Sequence, residues 1–222
     1  MAGEFSGLWL GQIEINKVNE VGSKIDTSTP TDTPNHFDMR IVLHVDAQNV
    51  VRLLRDVTIM QKPYSVENAD GTVTDMVRRV LITDDSLLPD YEGIVRRDGK
   101  LTGVRLGSLA FDFETSKNDL PLNGNFGAGQ TVTGKITLDA DHPTNPFKHL
   151  YHPDHQTGKT VVRNFSLIFD TEQDPTNPNS GKVILKGRFE ERITGVHKIE
   201  LKVSGTYTLN RVSLIDRLND QG

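Results

Sequence analysis

The stretch FDMRIVLHVD (residues 37–46) alternates apolar and polar side chains, and that alternation limits what such a chain can fold into. Successive side chains of an extended strand point to opposite faces. One face therefore collects Phe37, Met39, Ile41, Leu43 and Val45, and the other Asp38, Arg40, His44 and Asp46, with Val42 the exception. Period two over this length describes a half-buried strand, with one face on a core and the other in water.

The same rhythm recurs. IELKVSGTYTLN sets Ile199, Leu201, Val203, Tyr207 and Leu209 against Glu200, Lys202, Thr206 and Thr208. TVTGKITLD, NFSLIFD, GLWLGQIEINKV, VRRVLIT, VRLGSLAFDFE and KVILKGRFEERI read alike. AQN (47–49) is expected to turn the first strand back into VVRLLRDVTIM, giving about nine strands in all. Asp70-Gly71 and Asp98-Gly99 supply the positive φ of tight hairpins, and Asn123-Gly124 and PTNPNSG (175–181) serve longer loops. Helical periodicity never runs beyond a dozen residues; DDSLLPDYEG, capped by Asp85, and SLIDRLND have room for one short turn each. The expected fold is all-β: an antiparallel, jelly-roll-like β-sandwich with long polar loops and at most one or two short helical turns. Residues 7–222 form one domain in this reading, and the opening MAGEFS reads as additional residues ahead of it.

Two stretches break the rhythm and are expected to be loops, residues 20–36 and 139–159. The second contains HPTNPFKHLYHPDH (142–155), which holds four of the seven histidines and three prolines. Asn145 followed by Pro146 resembles a helix start, and Pro153 limits that helix to about two turns. Such a turn brings His149 and His152 toward one face, with His155 and Asp154 after the bend and His142 before it. Imidazoles plus a carboxylate suit Zn²⁺ or a related transition ion. The competing reading is a proline-braced loop whose histidines bond to backbone, since HxxH followed by PxH is not an established zinc spacing.

Other constellations have equally plain alternatives. FDFET places Asp112 and Glu114 on one strand face, the pair a glycoside-acting enzyme would need, or simply a solvated face. Asp170, Glu172 and Asp174 in DTEQDPTNPNSG offer oxygens to Ca²⁺, although Pro175 stands where an EF-hand needs glycine. Trp9, the sole tryptophan, either stacks on a ligand ring or belongs to the core. GQTVTGKI misses a phosphate loop because Ile136 replaces the metal-binding hydroxyl and no helix follows. In GRFEER, Arg188, Glu190 and Arg192 share one face and suggest cross-strand ion pairs.

Composition narrows the partners. With 25 Lys+Arg against 30 Asp+Glu the net charge is −5, the wrong sign for a nucleic-acid footprint. There are no cysteines, so disulfides and thiolate metal sites are excluded. No apolar run approaches a membrane span, and the first residues carry no targeting signal.

Three segments, GLWLGQIEINKVNEV, FDMRIVLHVDAQNVVRLL and NPFKHLYHPDH, resemble an uncharacterised β-rich domain of large multidomain bacterial proteins that often carry secreted or surface modules. The resemblance spans most of the chain from Gly7 and implies a secreted or cell-surface setting. The function expected is a non-catalytic accessory module: adhesion, glycan or protein binding, or a spacer, with neighbouring domains as partners. The alternatives are a metal-dependent enzyme or metal-stapled domain at 142–155, and a glycoside-acting enzyme at Asp112 and Glu114. Zinc or calcium is the only cofactor these readings require.

Overall fold

A computed structural model describes residues 3–19, 29–87, 95–97, 100–108, 111–113, 117–145, 158–171, 174–196 and 199–220. The chain is all-β with antiparallel sheets, as the alternation requires. Its larger sheet runs in the order β8-β3-β2-β1-β13-β12-β11-β10-β9. The strands are β1 (Gly7–Val18), β2 (Thr31–Val45), β3 (Val51–Leu54), β8 (Asp119–Pro121), β9 (Asn123–Gly124), β10 (Thr131–Leu138), β11 (Val161–Phe169), β12 (Ile184–Thr194) and β13 (Leu201–Ser213). Only Leu122 separates the two outermost strands, so one short segment pairs with β3 on one side and β10 on the other. The sandwich thus takes the form of a sheet curled nearly into a barrel.

Alternation fills the interior. Met39, Ile41, Leu43 and Val45 point inward from β2, and Val132, Ile136 and Leu138 from β10. Phe165, Phe169, Phe189 and Tyr207 interlock from β11, β12 and β13, with Phe165 and Phe189 stacked at 6.2 Å. Burying an aromatic ring of this size stabilises by roughly 2–3 kcal/mol. Gly134 makes room for these rings: a Cβ there would meet the Phe165 ring at 2.3 Å.

The smaller sheet, in order β5-β4-β7-β6, comprises β4 (Asp56–Glu67), β5 (Val73–Ile82), β6 (Val95–Arg97) and β7 (Lys100–Gly107). Leu8, Val42 and Leu54, on the outer face of the large sheet, meet Val57 and Leu81 of the smaller one in a second apolar cluster, which accounts for Val42 breaking its strand's pattern.

Several sequence expectations are corrected. Strand β2 begins at Thr31, within the expected loop, because Lys17 and Val18 pair with Asp32 and Thr31 beyond a register shift in β1. VVRLLRDVTIM is two strands, since the chain leaves the large sheet at Arg55. The run VRLGSLAFDFE stops being strand at Gly107, and residues 111–113 are irregular. One 3-10 turn forms at Asp85–Leu87, capped by Asp84 and not Asp85: the Asp84 carboxylate accepts the Ser86 N–H at 2.9 Å. The tail after β13 is not helical, because it lies across the molecule as irregular chain. Asn49 (φ 65°) makes the expected turn between β2 and β3, and Gly71 (φ 79°) that between β4 and β5.

Candidate functional site

At one end of the large sheet a cleft of about 540 Å³ opens where several residues singled out in the sequence meet. Its walls are apolar, from Phe111, Leu138, Val161, Ile193 and Val196, and its polar groups include Arg55, Asp112 and Arg163. Period two turns Arg163 inward along with Phe165 and Leu167. On the next strand it likewise turns Glu191 inward with Phe189. Glu191 is almost fully buried, and the Arg163 guanidinium donates to both its oxygens, at 2.5 and 3.1 Å. The same guanidinium stands 5.1 Å over the Phe111 ring. A planar fork facing a carboxylate satisfies both charges at once, which makes burial of the pair tolerable.

Asp112 stands at the rim. One oxygen accepts the Phe113 N–H at 2.9 Å and lies 3.9 Å from the Arg55 guanidinium. Phe111 and Phe113 are buried on either side of it, so the period-two contrast survives although the strand does not. Glu114 lies outside the described residues.

His142, also buried, closes the same end. Its Nδ1 accepts the Thr144 N–H at 3.2 Å and faces the Thr144 hydroxyl at 3.0 Å. That assigns the proton to Nε2, which donates to the Phe113 carbonyl at 3.1 Å. Both ring nitrogens are thereby engaged in holding backbone. The residues of the helix that Asn145 was expected to start lie outside the described residues, while the Asn145 amide donates to the carbonyls of Asp139 and Lys159, both at 2.8 Å. It ties together the two ends of the segment it was expected to start. The proposed metal ligands His149, His152, Asp154 and His155 lie outside the described residues.

Of the calcium candidates, Glu172 also lies outside the described residues, and Asp170 is an exposed residue at the end of β11. Asp174 closes an Asx turn: its carboxylate accepts the Thr176 N–H at 2.9 Å and hydroxyl at 2.6 Å. Those bonds hold its carboxyl below the usual range. Among the described residues no three His, Asp or Glu side chains converge as metal ligands would.

Trp9 is fully buried, with Nε1 donating to the Phe5 carbonyl at 2.8 Å and the ring 5.1 Å from Phe126. The Arg211 guanidinium lies 5.7 Å from the indole. The core side of that alternative is the one the chain adopts, and no face is left to stack on a sugar.

A second concavity, about 630 Å³, runs over the outer polar face of β10 to β13. Glu190 and Arg192 line it, but Glu190 stands opposite Ser166 and Ser204, and Arg192 opposite Asn164 and Lys202. The ion pair expected from GRFEER forms instead on the inner face, through Glu191. Sequence reasoning missed Arg55, Arg163 and Glu191. A signal for Glu191 was available, since whichever way Phe189 points Glu191 must follow.

No family model matches the chain, and no curated protein matches it.

Proposed function

We propose that this chain is a non-catalytic binding module of a larger, secreted or surface-exposed bacterial protein. Its cleft between Arg55 and Arg163 receives an apolar side chain of a neighbouring domain. One observation supports this reading above others: the cleft is walled by apolar groups, while Asp112 at its rim and Glu191, buried beside Arg163, already face arginines. A general acid or base needs a carboxylate free to exchange a proton with substrate. A partner's side chain needs only an apolar pocket and a few polar groups to fix its direction.

The test is binding of the adjoining domains of the parent protein, measured by calorimetry for the parent chain and for Ile193→Glu and Val196→Glu. A charge in the apolar wall is expected to weaken binding by about tenfold or more, with a cooperative melting transition showing that each variant still folds. Binding unchanged in both variants would remove the cleft from consideration. Hydrolysis of any polysaccharide in a screening panel, abolished by Asp112→Asn, would overturn the non-catalytic reading itself. Stoichiometric zinc that is lost in His149→Ala would reopen the metal reading.

A further inference from the structure

Strand β5 forms an outer edge of the smaller sheet and, among the described strands, pairs with β4 alone. It carries three large exposed apolar residues: Val73 is 66 % exposed, Met76 45 % and Val77 61 %. Neither a bulge nor a proline interrupts it, and natural sheets commonly use such devices to blunt an edge. Two hydrogen bonds fix which backbone groups face outward. The Asn68 N–H donates to the Thr72 carbonyl at 2.8 Å, so even-numbered residues of β5 bond inward to β4. The Asn219 N–H donates to the Leu81 carbonyl at 2.7 Å, so odd-numbered residues face the open edge. Among the described residues, the C-terminal tail pairs with that edge from Leu81 onward. Among the described residues, the N–H and C=O groups of Val73, Asp75, Val77 and Arg79 are unpaired along it.

We infer that β5 pairs antiparallel with β5 of a second copy of this chain, centred on Val77, to join two small sheets into one. Only residues with outward backbone groups can face one another, so odd-numbered residues must meet odd-numbered ones. With Val77 opposite Val77 of the second copy, Asp75 falls opposite Arg79 and Arg79 opposite Asp75. That register forms about six backbone hydrogen bonds and two ion pairs. Slipping by two residues sets Asp75 or Arg79 against Val77. Slipping by four sets Asp75 against Asp75, or Arg79 against Arg79. The charge pattern therefore selects one register and one partner orientation. Arg79 has no ion pair within its own chain among the described residues, and Asp75 accepts only the Ser65 hydroxyl, at 2.8 Å. Pairing would also cover Val77, which lies beside Pro63 of β4.

Sedimentation velocity from about 1 μM to about 1 mM tests this on the parent, on Asp75→Arg, on Arg79→Asp, and on an equimolar mixture of the two variants. The parent is expected to dimerise as concentration rises. Each variant alone sets like charges together twice and is expected to dissociate about tenfold more readily. In the mixture every contact again joins opposite charges, so dimers return. Unchanged melting curves would show that the variants fold. A parent monomeric throughout would overturn the inference. So would variants that dimerise as well alone as when mixed, because the interface would then lie elsewhere.

Discussion

Tyr207 places its hydroxyl inside the large sheet, where it has no hydrogen-bond partner among the described residues. Burial, with a smaller contribution from Asp170, pushes the phenol far above its usual value of 10.0, so it stays neutral throughout the ordinary pH range. A buried hydroxyl without a partner loses water and gains nothing in exchange. Tyr207→Phe is therefore expected to raise stability by about 1 kcal/mol in urea denaturation, and a loss would mean the hydroxyl is bonded in solution. The contrast is Gly187, beneath the same ring, where a Cβ would meet the Ile168 carbonyl oxygen at 2.0 Å and the Tyr207 hydroxyl at 2.6 Å. Backbone has to move to admit it, so Gly187→Ala is expected to lower stability by about 2–3 kcal/mol in the same assay. At this scale the sequence was partly legible. Alternation from Phe189 dictates that Gly187 and Glu191 face inward. It cannot say that Arg163 will meet Glu191, because that depends on the register of two strands.

The elements turn on the junction at Arg55, where the chain passes from the large sheet to the small one. Asn118 holds it. The Arg55 N–H donates to the Asn118 carbonyl at 2.8 Å, and the Asp56 N–H to its side-chain oxygen at 2.9 Å. The Asn118 amide donates in turn to the Thr83 carbonyl at 2.6 Å, reaching the end of β5. Across the junction, the Ser108 hydroxyl donates to the Leu54 carbonyl and accepts the Val42 N–H. Asn118→Ala removes the side-chain bonds while leaving their partners half-buried, so a loss of about 2–3 kcal/mol is expected. Amide exchange should quicken in β4 and β5 more than in β10 and β11; uniform acceleration would mean that Asn118 is not the joint between the sheets. None of this was readable beforehand, because RLLRDVT has no glycine, proline or change of rhythm at Arg55. Strands whose faces contrast, such as β10, were plain. The start of β2 was hidden because Pro34 and its polar neighbours suggest a loop, whereas pairing with Lys17 and Val18 makes them strand.

Across the whole molecule, the segment after β13 fastens the two sheets together. Ile215 and Leu218 pack on the cluster formed by Leu8, Val42, Leu54, Val57 and Leu81. The Asn219 side chain accepts the Thr83 and Asp84 N–H groups, and Asp220 pairs with Arg78 at 3.3 Å. Beneath this strap lies His44, which the alternation of its strand would place in water but which is only 1 % exposed. Its Nε2 is 3.1 Å from the Ile215 carbonyl, which makes Nε2 the protonated nitrogen and leaves Nδ1 buried with no hydrogen-bond partner among the described residues. Burial lowers its pKa from the usual 6.5; the Ile215 bond opposes this, Arg52 adds to the lowering, and Asp46 and Asp216 oppose it more weakly. The sign follows from linkage. The unfolded chain takes up a proton on His44 as pH falls through 6.5, while the folded chain resists until a lower pH. The stabilisation from neutral, buried His44 is thus fully present above 6.5 and is lost as pH falls through the folded value. Opening the strap would admit water to the imidazole and relieve that penalty, so the segment after Ser213 should loosen before either sheet melts. Limited proteolysis of the tail is expected to accelerate between about pH 7 and pH 5, and denaturation midpoints to fall with it. His44→Phe keeps an aromatic ring in the space and has no proton to gain, so both slopes should flatten over that range. An unchanged slope in the variant would assign the acid sensitivity to another group and leave His44 a neutral packing residue.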